Sequence, residues 1–599
     1  MRNRFFMCLI AAMAIAPQWG SAQSVALDAP LANDALRKSL ASASLTIATK
    51  ADGTNAAQDF VAAARADYRR LLTALYDQGY FSGVISITID GQEAAAISPL
   101  DTPAEISRII LRVTPGPKFQ LGQAVIAPLH PTTQLPDGFA KGRSASTSVI
   151  KEAVNDVVEG WRANGHAKAE PQSQKITARH RNNLLDVNVA IAPGPKLQFG
   201  QLSVSGNQDV RANRIKKIAG LPVGETYDPI AIDAALTRLR RTGAFNSVSF
   251  SEADDIGPNA SLPVSIAVVE SKQRRFGFGA ELSTIEGFGL SGYWLHRNFR
   301  GGAERLLVEA DISGIGGETG GTDYSIGASF DRPAIYGAAT DLFIRTEISR
   351  LDEPEYLLDK ASFEIGATRI IGKDILGELG IGLLNAREEN LAFSRNYSLF
   401  TLPFEATLEK RDNVTNPKDG YYLQTSISPF ISFDGDDAGV RSYADARVFR
   451  SFGQDEKITI AARAQVGAVF GADVQNTPAD YLFYSGGGST VRGQEYDSLG
   501  VTSVINGTQV RTGGRSYIGA QVEARYRVSE AFGLVGFYDF GQVGDTSGFT
   551  DGTSSHAGTG IGLRYDTGIG PIRFDVGTPA DGAAAFDNVQ VYIGIGQAF

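Results

Sequence analysis

The chain reads as small α+β repeats followed by a transmembrane antiparallel β-barrel. Three observations lead there: an apolar N-terminal leader, an internal repeat in the first half, and a side-chain period of two from Arg274 to Phe599.

The leader opens with Arg2 and Arg4, continues through an apolar run of 12 residues from Phe5 to Ala16, and closes on Gly20-Ser21-Ala22. That pattern predicts a cleaved secretory signal over residues 1–22. The run falls well short of the ~20 residues a membrane-spanning helix needs. Cys8, the single cysteine, lies inside it, so the mature chain is expected to hold neither a disulfide nor a thiolate metal site. The net charge of −10 argues against nucleic acid, which calls for a basic stripe. A content of 67 Gly, 32 Phe and 20 Tyr with 3 Met suits a β-rich wall, where glycines fill crowded positions and aromatics sit at membrane interfaces.

The repeat is explicit. Pro115-Gly-Pro-Lys-Phe-Gln-Leu-Gly-Gln123 returns as Pro193-Gly-Pro-Lys-Leu-Gln-Phe-Gly-Gln201, an offset of 78 residues. Helices with apolar stripes (Tyr68, Leu72, Leu75; Ile150, Val154, Val157, Trp161; Ile232, Leu236, Leu239) each end on a glycine, at Gly79, Gly165 and Gly243. Alternating stretches such as Val84–Ile89 and Phe245–Phe250 follow as strands. The unit is an α+β module of roughly 80 residues, placed at 23–116, 117–195 and 196–272. It resembles the POTRA domain, and Leu202-Ser-Val-Ser-Gly-Asn207 resembles the first strand and turn of such domains.

From residue 273 to 599 helical periodicity disappears. Between Tyr517 and Val528, Gln521, Glu523, Arg525 and Arg527 share one face, while Ile518, Ala520, Val522, Ala524, Tyr526 and Val528 share the other. The pattern recurs around Arg463, Gln465, Arg345, Glu347, Arg564 and Arg573. A soluble sandwich also alternates, but the leader, the extent of the repetition and a chain ending on an aromatic favour a membrane barrel. Residues 273–599, at roughly 20 per strand with its connection, suggest 16 strands. The last strand places Val591, Ile593, Ile595 and Phe599 on one face and Tyr592 with small residues on the other. Its Tyr592, Ile593, Ile595 and Phe599 resemble the C-terminal signal of outer-membrane barrel proteins. A barrel leaves no open edge in lipid, so this strand should pair with the first, near residues 275–284.

Gly486-Gly-Gly-Ser-Thr-Val491-Arg492-Gly493 resembles the loop motif of the BamA, TamA and two-partner-secretion superfamily of POTRA-plus-barrel proteins, although Gln494 stands where that family has an aromatic. The resemblance implies that the loop tucks into the barrel and that Arg492 meets acidic residues on the inner wall, which map to Glu523 and Asp539. Asp539 shares its face with Val535 and Phe537, an apolar setting for a carboxylate. Arg411-Asp-Asn-Val-Thr-Asn-Pro417-Lys-Asp-Gly420 resembles a further family pattern and reads physically as a hairpin turn. Gly560–Val576 resembles the family's penultimate hairpin.

Motifs for hydrolases, zinc proteases and phosphate-binding loops are absent, and His130, His166, His180, His296 and His556 have no ligand spacing. No enzymatic activity, catalytic residue, cofactor or metal is therefore expected. Three modules point within the superfamily to TamA-like proteins. The resemblance then implies an outer-membrane location with the modules in the periplasm, and insertion of barrel or autotransporter-type clients by strand addition at the seam between first and last strands. It also implies a TamB-like inner-membrane-anchored partner, unfolded outer-membrane clients and outer-membrane lipid as contacts. The alternatives are a two-partner-secretion-type translocation pore and a passive diffusion porin.

Overall fold

The computed structural model describes residues 24–597 apart from 53–55, 99–101, 284–286, 318–319, 373, 434–436, 568–569, 582–587 and 596. The leader and Phe599 lie outside the described residues, as does the side chain of Ile595. Two compact units are present: 1–199 with 224–229 and 257–261, and 200–223 with 230–256 and 262–599.

In the first unit, Ser24–Asp28 runs parallel to Arg108–Thr114, and Val84–Ile89 adds antiparallel on the other side. Helix Ala57–Asp77 covers this sheet with Phe60, Val61, Ala64, Leu71, Ala74 and Leu75 buried. Of the expected stripe, Leu75 is buried and Tyr68 packs against the core, while Leu72 is only half-buried and its neighbour Leu71 is buried in its place. Asp67 lies within that stripe because its carboxylate caps the short helix Leu45–Ala51, accepting from Ser44 Oγ at 2.5 Å and from the Leu45 and Thr46 N–H groups at 2.7 and 3.1 Å. The second module repeats the plan: Gln120–Ala127 is parallel to Leu184–Ala192, with Glu170–Arg179 as an antiparallel edge and helix Thr147–Arg162 above.

Gly79 and Gly165 take positive φ, +88° and +96°, which ends each helix. Their carbonyls then accept from the N–H groups of Phe119 and Leu197, both at 2.8 Å. Phe119 and Leu197 are fully buried. The repeated Pro-Gly-Pro-Lys segment is therefore a joint that ties the end of one helix to the next module's first strand.

Strands Gln198–Ser205, Ser261–Glu270 and Phe245–Glu252, which fall mainly in the second unit, form a three-stranded sheet accompanied by helices Ala212–Ala219 and Pro229–Arg241. This module packs with the barrel. Arg211 N–H donates to Gly301 O at 3.0 Å, and Arg214 donates to Pro333 O, fixing the shorter helix to two barrel turns.

The barrel is a sheet of 17 antiparallel strands in chain order from Arg274–Ser283 to Gln590–Ile595. Ser394–Thr401 and Phe404–Glu409 both lie between Ile375–Glu389 and Gly420–Ser432, end to end, separated by Leu402-Pro403. Proline has no N–H to give the ladder, and it breaks one strand into two. The sheet consequently has 16 rows.

Its burial is inverted relative to a soluble protein. Along Ser516–Arg527 the polar Gln521, Glu523 and Arg525 are buried, while Val522 and Tyr526 are each 49% exposed. Leu379, Ile381 and Leu383 are likewise exposed on their strand. An apolar band facing outward around a polar interior is stable only against lipid. Among the described residues no helix is long and apolar enough to cross a membrane.

The first and last strands lie side by side. Among the described residues no ladder joins them, whereas every consecutive pair of rows is laddered. The two strands are neighbours, as expected, and over the described residues their junction is a seam without a ladder. On its other side the last strand ladders with Ile572–Pro579.

Candidate functional site

The segment between strands Ile458–Phe470 and Ser516–Arg527 turns inward and fills one side of the lumen. Its upper part packs Phe483 against Val469, Tyr517 and Val543, and Lys360 reaches Asp480 at 3.0 Å. Arg463 donates to Ser489 O at 3.0 Å, and Gln521 Nε2 donates to Thr490 O at 2.7 Å, so wall residues hold the backbone just ahead of Val491.

Val491 and Arg492 are then fully buried. The guanidinium donates to Asp539 through Nε at 2.7 Å and Nη2 at 3.0 Å, a two-pronged contact that a lysine cannot reproduce. Its Nη1 donates to Glu523 at 2.6 Å and to Asp575 at 3.3 Å. The Arg492 N–H adds a bond to Asp539 at 3.1 Å. Phe537 lies beneath the guanidinium, 3.7 Å from ring centre to Cζ. This accounts for the apolar neighbours of Asp539: the ring that shares its face is a seat for the cation.

The carboxylates are shared with two further arginines. Arg525 Nε donates to Glu523 at 2.8 Å, and Arg564 pairs with Asp575 and lies 3.8 Å from Glu523. Three cations and three anions thus neutralise one another in a place water does not reach. Burial in such a site costs several kcal/mol per ion unless each is paired.

Glycines make the seat. A Cβ on Gly558 would lie 1.9 Å from the Arg492 carbonyl oxygen, and one on Gly493, whose φ is +95°, would strike the Thr578 backbone. Gln494, in place of an aromatic, donates from its amide to Ala557 O at 2.7 Å. Tyr496 instead lies against Gly487.

Sequence reasoning proposed Arg492 with Glu523 and Asp539, and the structure brings all three together. It did not assign Asp575, Arg525 or Arg564, although inward parity along Ile572-Arg-Phe-Asp-Val would have flagged Asp575. Of the C-terminal residues, Tyr592 belongs to this site, its Oη accepting from Gly493 N–H at 3.0 Å. Ile593 faces outward at 56% exposure. The site holds no nucleophile beside a base, and no metal-binding group of His, Cys, Asp and Glu occurs among the described residues. Its physical capacity is to fasten a loop to a wall.

Residues 298–599 match the Omp85 superfamily domain, and residues 197–271 match the POTRA family described as a surface antigen variable number repeat. The outer membrane protein assembly factor BamA of Nitratidesulfovibrio vulgaris is 22% identical over 70% of this chain and 53% of its own length. That of Neorickettsia risticii is 24% identical over 66% and 54%. The chain thus spans about half the length of the curated relatives it matches. The crystal structure of BamA from Haemophilus ducreyi lacking POTRA domains 1–3 has a similar fold, with a TM-score of 0.59 at 14% identity over 79% of this chain and 98% of that one.

Proposed function

The chain belongs to the Omp85 superfamily, and from that premise we propose that it is an outer-membrane assembly factor of the TamA-like kind. In this reading it inserts barrel or autotransporter-type clients into the outer membrane. The observation that carries it is the seam: among the described residues, one pair of adjacent rows has no ladder in a sheet otherwise fully laddered.

Unpaired backbone N–H and C=O groups facing hydrocarbon cost several kcal/mol each, so an edge there seeks a partner strand. A client strand satisfies it by β-augmentation, and the client gains its own free energy by burying apolar side chains in lipid. Nothing covalent happens. The role of the Arg492 cluster is to keep the loop seated and the wall beside the seam stiff while the edge exchanges partners. The modules lie in the periplasm and receive clients and a TamB-like inner-membrane-anchored partner.

The test is reconstitution of the full chain in lipid vesicles with a urea-unfolded barrel client. We expect faster appearance of heat-modifiable, protease-protected client, abolished when cysteines placed on the first and last strands are cross-linked. Delivery of unfolded client into the vesicle lumen would instead assign the chain to two-partner-secretion-type transport. Small-solute leakage with no effect on clients would mark it as a porin.

A further inference from the structure

The turn 411–419 joins the eighth and ninth rows of the barrel, halfway round the sheet from the seam. It is nevertheless bonded to the end of the chain. The turn is stiffened from within: Asp412 Oδ1 accepts from the Asn413 and Lys418 N–H groups at 2.9 and 3.0 Å, and Asn413 Oδ1 accepts from those of Thr415 and Asn416, both at 2.9 Å. The tip, Thr415-Asn416, meets Gln597. Gln597 N–H donates to Thr415 O at 3.3 Å, and its Nε2 donates to Asn416 Oδ1 at 2.9 Å. Asn416 Nδ2 also reaches Asp566 at 3.4 Å, and the Thr415 side chain lies against Gly570.

The other end of the Gln597 amide is occupied too. Its Oε1 accepts from Arg564 Nε at 2.9 Å, and Arg564 pairs with the Asp575 that binds Arg492. One line of polar contacts therefore runs from Asn416 through Gln597, Arg564 and Asp575 to the seated loop.

We propose that the 411–419 turn is a latch on the last strand, holding it at the seam through Gln597. Among the described residues that strand has a backbone ladder on one side only, so side-chain tethers at its end weigh more in its position than they would in a strand paired on both sides. A hydrogen-bonded amide is a suitable tether: it is specific in geometry, and weak enough to be released when a client strand competes. The latch rests on the seam being where clients enter.

The experiment uses spin labels, since Cys8 is the single cysteine and lies in the leader. Phe278→Cys and Ile593→Cys place labels on the exposed faces of the first and last strands. Distances are measured by double electron–electron resonance on the full chain in lipid nanodiscs. Asn416→Ala removes the side-chain acceptor, and Gln597→Glu removes the side-chain donor to the turn while keeping the acceptor for Arg564; the Gln597 N–H bond to Thr415 O remains in both. Each variant should raise the ratio of long-distance to short-distance populations on the order of fivefold, the equivalent of about 1 kcal/mol, and combining them should add little. Distance distributions unchanged in both variants would overturn the latch. So would loss of heat-modifiable barrel in both, which would make the turn a folding element. Client insertion is scored separately: a loosened seam with unaltered insertion keeps the latch and removes the insertion reading.

Discussion

On the wall that carries the loop, the side chains of Arg492, Glu523, Asp539 and Asp575 are 0% exposed. On the part of the wall around Arg345 an inward pair of similar length stays wet: Arg345 and Glu378 approach to 2.9 Å with 43% and 17% exposure. That wall faces a polar cavity of about 610 Å³ lined by Glu309, Asp311, Arg345, Glu347 and Glu364 among others. The residue types are the same. What differs is a loop that displaces water from one wall, and with water gone each ion depends on its partners. Charge in a lumen is thus a fastener where a loop covers it and a solvated lining where none does.

The largest effect expected from this contrast is at Arg492. Arg492→Ala leaves three carboxylates buried without their shared cation and should destabilise the barrel by roughly 3–5 kcal/mol, read as a lower temperature of conversion to the unfolded gel form. Arg492→Lys should recover only part. A double-mutant cycle between Arg492 and Asp539 with coupling near zero would break the contrast.

Sterics give the next effect. Gly558→Ala places a methyl on the Arg492 carbonyl and should cost ~1–3 kcal/mol. Gly327→Ala on the wet wall makes ordinary contacts with the flexible Glu309 side chain at 3.4 Å and the Thr346 carbonyl at 3.8 Å, and should stay within about 0.5 kcal/mol of the parent. Equal costs for the two, in the same gel assay, would mean that the seat is not tight.

Arg345→Ala should cost ~0–1 kcal/mol, and raising salt to about 1 M should erase even that while leaving the Arg492 penalty intact. A salt-insensitive loss at Arg345 would show that the open wall is less wet than its exposure indicates.

The smallest effect calibrates the scale outside the membrane. In the first module the Tyr68 hydroxyl donates to Glu93 and is the main cause holding that carboxyl below its usual range, while burial is the main cause raising the Tyr68 hydroxyl to about 12. A depressed carboxyl contributes stability above its unfolded pKa and loses it as pH falls through the folded value. A raised tyrosine contributes below its unfolded pKa, near 10, and loses it as pH rises through about 12. Tyr68→Phe should therefore start acid loosening of Val84–Ile89 at higher pH. Hydrogen exchange of those amides checks this, and an unshifted acid limb would show that Glu93 is held by other groups.

Much of this was legible in the chain. Alternation from Tyr517 to Val528 told which residues face inward, because the strand period is geometric and independent of context. It could not tell which inward residues are dry, since that is decided by a loop some thirty positions away. Asp575 and Arg564 looked like ordinary lumen residues for that reason. On helix Ala57–Asp77 the stripe was right at Tyr68 and Leu75 and missed Leu71, while Asp67, a charge, sits among the buried residues as a cap for a short neighbouring helix. The split of one row at Leu402-Pro403 is plain from proline chemistry once the register is known, and invisible before.

That split bears on the mechanics of the whole cylinder. Where a row lacks a donor, its neighbours are held by fewer hydrogen bonds. Leu402-Pro403 interrupts the eighth of 16 rows, with Pro429 beside it on the ninth accepting from Leu402 N–H at 2.9 Å. Each proline lacks the N–H that a rung needs, so the ladder is thinnest at a place halfway round the sheet from the seam.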